Sequence, residues 1–136
     1  MPVIQNVSLY AVAKGDHYKS DNAVLIQIVD PDMEFPTPTN HFKEVFQFKF
    51  LDVEKTDLEY GRITYEQAKE LVAILQKALD ANQDVIVHCV MGVCRSGAVA
   101  EIGTMMGFGE TNVYRQPNLL VKSLMMKALG WSYEND

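Results

Sequence analysis

Residues 85–96 read Val85-Ile86-Val87-His88-Cys89-Val90-Met91-Gly92-Val93-Cys94-Arg95-Ser96. Asn82-Gln83-Asp84, a turn composition, leads into the apolar run Val85-Ile86-Val87, which ends at His88. This predicts a short central strand. A tight loop carrying Gly92 follows, and a helix is predicted from Arg95 to Met106, with Gly107 to stop it. Strand, loop and helix in that order mark a βα unit. Both cysteines of the chain lie in this stretch, one of them directly before the arginine.

The loop has the chemistry of an anion site. Consecutive N–H groups between a strand end and a helix start can converge on an anion, and the helix N-terminus adds partial positive charge. Gly92 can take a positive φ that a side chain would penalise. Arg95 offers two parallel donors to phosphate oxygens. An arginine at a helix start is otherwise poorly placed, because the dipole there repels cations. In that field the sulfur of Cys89 favours its anionic form, a nucleophile aimed at a bound phosphoryl group. With one glycine and no Gly-Lys-Ser/Thr ending, the loop is not an ATP-binding Walker motif. Two cysteines and one histidine at this spacing are too few ligands for zinc, so no metal and no cofactor is expected.

Outward from the loop, strands alternate with helices. Val3 to Val12 predicts a first strand. Ala23 to Val29 is a nearly continuous apolar run, suited to a strand covered on both faces, and Asp30-Pro31-Asp32 bounds it. Val45 to Phe50 predicts another strand, running into Leu51-Asp52. Residues 52–62 lack a clean period and read as a loop. Thr64 opens the clearest helix, with Gln67 at the capping-box position and Ala68, Leu71, Val72, Leu75 and Leu79 on one face. Residues 108–116 are irregular. Pro117-Asn118 starts a last helix that buries Leu120, Val121, Leu124, Met125 and Ala128 and ends at Gly130. The expected architecture is one α/β domain over residues 1–136. It has three layers, with a mostly parallel sheet of about four or five strands flanked by helices.

The 136 residues, 48% hydrophobic and 22% charged, can bury an ordinary core without disulfides or metal. The net charge of −6 argues against nucleic acid and anionic membranes as partners. No run of about 18 apolar residues is present to span a bilayer. No signal peptide is visible and two cysteines make no disulfide framework, so a cytoplasmic location is expected.

His88-Cys89, five residues, then Arg95-Ser96 resembles the signature of the cysteine-dependent protein tyrosine phosphatase superfamily. The short chain and late position of the loop resemble its dual-specificity branch, in the small bacterial and viral form. Phe48 to Val53 is similar to the strand-and-aspartate segment of small bacterial members, and Gln116 to Val121 to their closing-helix entry; the first forty residues match only loosely. The resemblance implies phosphate monoester hydrolysis through a phosphocysteine. In that scheme Cys89 attacks, while Arg95 and the phosphate-binding loop of Val90, Met91, Gly92, Val93 and Cys94 hold the phosphoryl oxygens. Asp52 is the general acid, Ser96 assists breakdown of the intermediate, and His88 orients the loop or tunes the cysteine. The implied substrate is phosphotyrosine in a protein, with phosphoserine or phosphothreonine, or a small phosphate ester, also open.

Several alternatives stay open at this level. Asp52 lies 37 residues before Cys89 and directly follows a predicted strand; Asp57 lies 32 residues before it and is the alternative acid. Cys94 departs from the dual-specificity pattern, where a small hydroxyl residue often stands. It resembles instead the loop of the low-molecular-weight tyrosine phosphatases. It can act as a disulfide partner for an oxidised Cys89 or simply pack behind the loop. Tyr10, Lys14, His17, Tyr60, Arg62, Arg115 and Asn118 are candidates for the pocket rim, Asn118 equally for a helix cap. The competing functions are a phosphate- or phosphoprotein-binding module without useful turnover and a thiol redox protein using Cys89 and Cys94. Oligomeric state is not legible.

Overall fold

A computed structural model describes residues 1–54 and 60–131. The chain order is β1 (Ile4–Ser8), α1 (Leu9–Lys14), β2 (Ala23–Val29), β3 (Glu44–Lys49), α2 (Tyr65–Asp80), β4 (Asp84–Cys89), α3 (Arg95–Met106) and α4 (Leu119–Ala128). The four strands form one parallel sheet in the order β1-β4-β2-β3. Parallel pairing puts the C-terminal ends of all four strands on one side. Ser8, Asp30, Phe50 and Cys89 therefore come out on the same edge of the sheet, where open α/β folds place their ligands.

The apolar run of β2 is continuous because both of its faces are covered. Val24, Ile26 and Ile28 face a large core with Val85, Val87 and residues of α2, α3 and α4. Ala23 and Leu25 face a smaller core with Ile86, Val7, Val12 and Phe42. The expected layered α/β architecture is the one observed.

The predicted first strand is shorter than its β-compatible composition implied. It ends at Ser8, whose Oγ accepts from the Ala11 N–H at 3.1 Å and caps α1; Gly15, at φ 75°, closes that helix. Side-chain capping outweighed the β propensity of Tyr10 and Val12. In α2 the capping box forms as expected, with Gln67 N–H to Thr64 Oγ1 at 3.1 Å and Thr64 N–H to Gln67 Oε1 at 2.9 Å. Its buried face is rotated toward Ile74 and Ala78, leaving Val72 and Leu79 only partly covered. In α4 the buried side includes Met126 in place of the expected Leu124 and Ala128. No helix among the described residues is long and apolar enough to cross a membrane.

Candidate active site

The loop predicted from sequence sits between the C-terminus of β4 and the N-terminus of α3, next to the ends of β1 and β2. Cys89 is the last residue of β4 and is 2% exposed. The Gly92 N–H donates to Cys89 Sγ at 3.2 Å, and Ser96 Oγ lies 3.1 Å from the same sulfur. The Gly92 amide is a donor to the sulfur, and the Ser96 hydroxyl stands within hydrogen-bond reach of it.

The loop is held by its carbonyls. Leu9 N–H donates to the Val90 carbonyl at 3.2 Å, Gln116 N–H to Val93 at 3.0 Å, and Asn118 N–H to Cys94 at 2.9 Å. The buried Asn6 side chain donates from Nδ2 to the Gly92 carbonyl at 2.8 Å and to that of Tyr114 at 3.0 Å. In a trans peptide the C=O and the following N–H point in opposite directions. Tying the carbonyls of residues 90, 92, 93 and 94 to the scaffold therefore turns the amides of 91, 93, 94 and 95 toward the loop interior. The helix start has no side-chain cap, so its first-turn amides are also available to an anion.

Gly92 is required twice over. Its φ is +78°, and a Cβ would lie 2.4 Å from the Val7 carbonyl carbon and 2.5 Å from the Ser8 amide nitrogen, both backbone atoms that cannot swing aside. Gly92→Ala is expected to destabilise the fold by about 3 kcal/mol, from the left-handed conformation plus overpacking against β1. Thermal or urea unfolding of the variant measures this; a midpoint equal to wild type would refute it.

Arg95 is 4% exposed and its guanidinium is fixed at one corner. Nη1 donates to Asp30 Oδ1 at 2.7 Å and to the Phe50 carbonyl at 2.7 Å, so both of its hydrogens are used. Nε is buried without a partner. Nε–H and the parallel Nη2–H form the side of the guanidinium that matches two oxygens of a phosphate. A buried donor without an acceptor costs free energy, and a bound anion removes that cost.

His88 is fully buried; its Nδ1–H donates to the Cys89 carbonyl at 3.2 Å. Burial pushes its pKa down to about 4, with the Arg95 charge acting in the same direction, so the ring is neutral near pH 7. Burial likewise pushes the Cys94 thiol up, reinforced by the negative charges of Asp52, Cys89 and Glu54 and by a hydrogen bond to Asp52. Cys94 remains a thiol beside a carboxylate. Asp52 Oδ1 accepts from Asn118 Nδ2 at 2.7 Å. Asp52, Glu54, Cys94, Gln116, Pro117 and Leu119 line a groove of about 690 Å³ beside the loop.

No family model matches the sequence, and no curated protein matches it. Solved structures do. Human DUSP28 superposes with a TM-score of 0.64 at 17% identity, over 94% of this chain and 92% of its own. The human tyrosine phosphatase-like serine/threonine/tyrosine-interacting protein gives 0.65 at 14% identity, over 96% and 93%. OH1 of the orf virus, described as a tyrosine phosphatase with triple substrate specificity, gives 0.52 at 25% identity over 78% of this chain. The chain has the fold of the cysteine-dependent tyrosine and dual-specificity phosphatases. It spans 56% of the viral protein's length.

In this fold not all of the sequence-predicted residues come together. Cys89, Ser96, Arg95 and the loop residues 90–94 converge, with His88 beneath them. Asp52 and Cys94 meet one another on the groove side. Asp57 lies outside the described residues. Arg115 is not a free cation on the rim. It donates from Nη1 and Nη2 to Glu110 at 2.7 and 2.9 Å and from Nε to Glu101 at 3.0 Å. Sequence reading missed Asp30 and Asn6. The sequence marks Asp30 only as a strand stop, and a polar residue within β1 gives no sign that it braces a loop 86 residues away.

Proposed function

We propose that this chain is a metal-independent protein phosphatase that hydrolyses phosphate monoesters, foremost phosphotyrosine, through a phosphocysteine. The observation that carries the reading is the buried sulfur of Cys89 at the base of a loop whose amides turn inward, beside a guanidinium with its Nε donor unused. The sulfur anion attacks phosphorus, forming the S–P bond as the ester P–O bond breaks. Arg95 and the loop amides hold the non-bridging oxygens as charge builds on them. Asp52 gives its proton to the leaving oxygen. Its carboxylate then takes a proton from the attacking water, the S–P bond breaks, and Ser96 Oγ stabilises the departing sulfur. Neutral His88, fixed against the Cys89 carbonyl, keeps strand end and loop in register. The description of the orf virus protein as a tyrosine phosphatase supports the substrate class.

The pH profile of phenyl phosphate hydrolysis, an ester whose poor leaving group needs the acid's proton, tests the reading in EDTA. Asp52→Asn is expected to lower kcat about 100-fold and to abolish the fall in rate on the basic side, because that limb reports loss of the acid's proton. Asp57→Asn is expected to keep both. Transfer of the limb to Asp57→Asn would move the acid to Asp57. Absence of turnover with retained phosphopeptide binding would establish a binding module instead. The thiol redox alternative is disfavoured by Cys94, which burial and Asp52 hold in its protonated, poorly nucleophilic form.

A further inference from the structure

We infer that Asn118 is a positioning residue for the general acid, joining the acid segment, the phosphate-binding loop and α4 at one buried point. The inference rests on the phosphatase reading above. Asn118 is 1% exposed and every polar group it has is used within the site. Its backbone N–H donates to the Cys94 carbonyl at 2.9 Å, which ties it to the phosphate-binding loop. Its Nδ2 donates to Asp52 Oδ1 at 2.7 Å and to the Val53 carbonyl at 3.1 Å, which ties it to the acid segment. Its Oδ1 accepts from the Val121 N–H at 3.0 Å, and its carbonyl from the Lys122 N–H at 3.0 Å, which tie it to the first turn of α4.

Only an asparagine-like side chain does all of this. Capping α4 needs an acceptor alone, and serine, threonine or aspartate serves. Holding a carboxylate and a carbonyl needs an NH₂ with two hydrogens on the same side chain. A cap residue selected for the helix alone would not need the amide. Holding Oδ1 of Asp52 fixes the orientation in which the carboxyl group is presented. Glu54 adds a second tie, accepting from the Leu119 N–H at 2.8 Å, so the segment after Asp52 docks on the same helix end. Cys94, whose thiol lies against Asp52, closes the other side.

A residue acting through the acid should matter only where the acid matters. An ester with a good leaving group needs little protonation and one with a poor leaving group needs it fully. Asn118→Ser keeps a capping oxygen and removes the amide; Asn118→Asp keeps shape and cap and is the second variant if the serine protein does not fold. With phenyl phosphate, kcat/KM, which reports formation of the phosphocysteine and excludes the hydrolysis step common to both esters, is expected to fall about 50-fold, against less than about 5-fold with p-nitrophenyl phosphate. Inhibition by vanadate should stay within about 3-fold of wild type, because the phosphate-binding loop is intact. In an Asp52→Asn background, Asn118→Ser should lower kcat no further. Equal losses on both esters, no loss, or additive losses in the double variant would overturn the inference while leaving the phosphatase reading standing. A wild-type protein that turns over neither ester would overturn both.

Discussion

Cys89→Ser is expected to remove at least about 10⁴-fold of kcat toward p-nitrophenyl phosphate while leaving the fold and oxyanion binding in place. A serine hydroxyl is a weak nucleophile unless a neighbouring base takes its proton. None stands ready beneath the loop: the partners of Sγ are a backbone N–H and the Ser96 hydroxyl, and His88 directs Nδ1–H at a carbonyl. Sulfur is the more polarisable nucleophile, and a thiol gives up its proton far more readily than a hydroxyl. The fold should tolerate the exchange, because hydroxyl and thiol fill similar space and both partners can bond to oxygen. The checks are steady-state rates, a melting midpoint near wild type, and vanadate or tungstate binding by calorimetry. Turnover in the serine variant above the stated limit would rule out covalent catalysis at Cys89.

Arg95→Lys is the second large effect, with an expected loss of about 10³-fold in kcat/KM. Lysine carries the charge but not the fork. It cannot donate simultaneously to Asp30, to the Phe50 carbonyl and to two phosphoryl oxygens from a planar group. Removing a single donor to a developing oxyanion costs about 10²–10³-fold in well-studied sites, and here a bidentate pair is lost along with the anchoring corner. The ion pair with Asp30 is itself partly buried, so the carboxylate also loses a matched partner. In the proposed mechanism the fork serves bound ester and transition state alike, so KM should rise as kcat falls, and vanadate inhibition should weaken. A lysine variant with unchanged vanadate affinity would show that Arg95 does not hold the anion.

Much of this protein was legible in local patterns. The switch from an apolar run to a helix at residues 85–106, the capping box at Thr64 and Gln67, and the continuous apolar run Ala23–Val29 are each written in one short stretch of the chain. The Cys89, Gly92 and Arg95 pattern is local for the same reason: one strand end, one turn and one helix start follow each other directly in the chain. Glycine at 92 could be anticipated as a turn residue. That β1 passes close behind it could not.

What only the tertiary structure decided are the partners that parallel strand pairing brings to one edge. Asp30 reaches Arg95 across 65 residues and Asn118 reaches Asp52 across 66. An aspartate after a strand and an asparagine before a helix are common stop and cap signals, so their composition carries no sign of a second duty. The break of the first strand at Ser8 depends in the same way on pairing, because Ser8 sits opposite Cys89 at the end of the sheet and its hydroxyl is free to cap. Sequence spacing determined which residues form the loop. Side-chain geometry between distant segments decided which corner of the guanidinium is occupied, which oxygen of Asp52 is held, and that Cys94 stays a thiol. Those are long-range electrostatic and hydrogen-bond facts, and they exist only once the four strand ends are side by side.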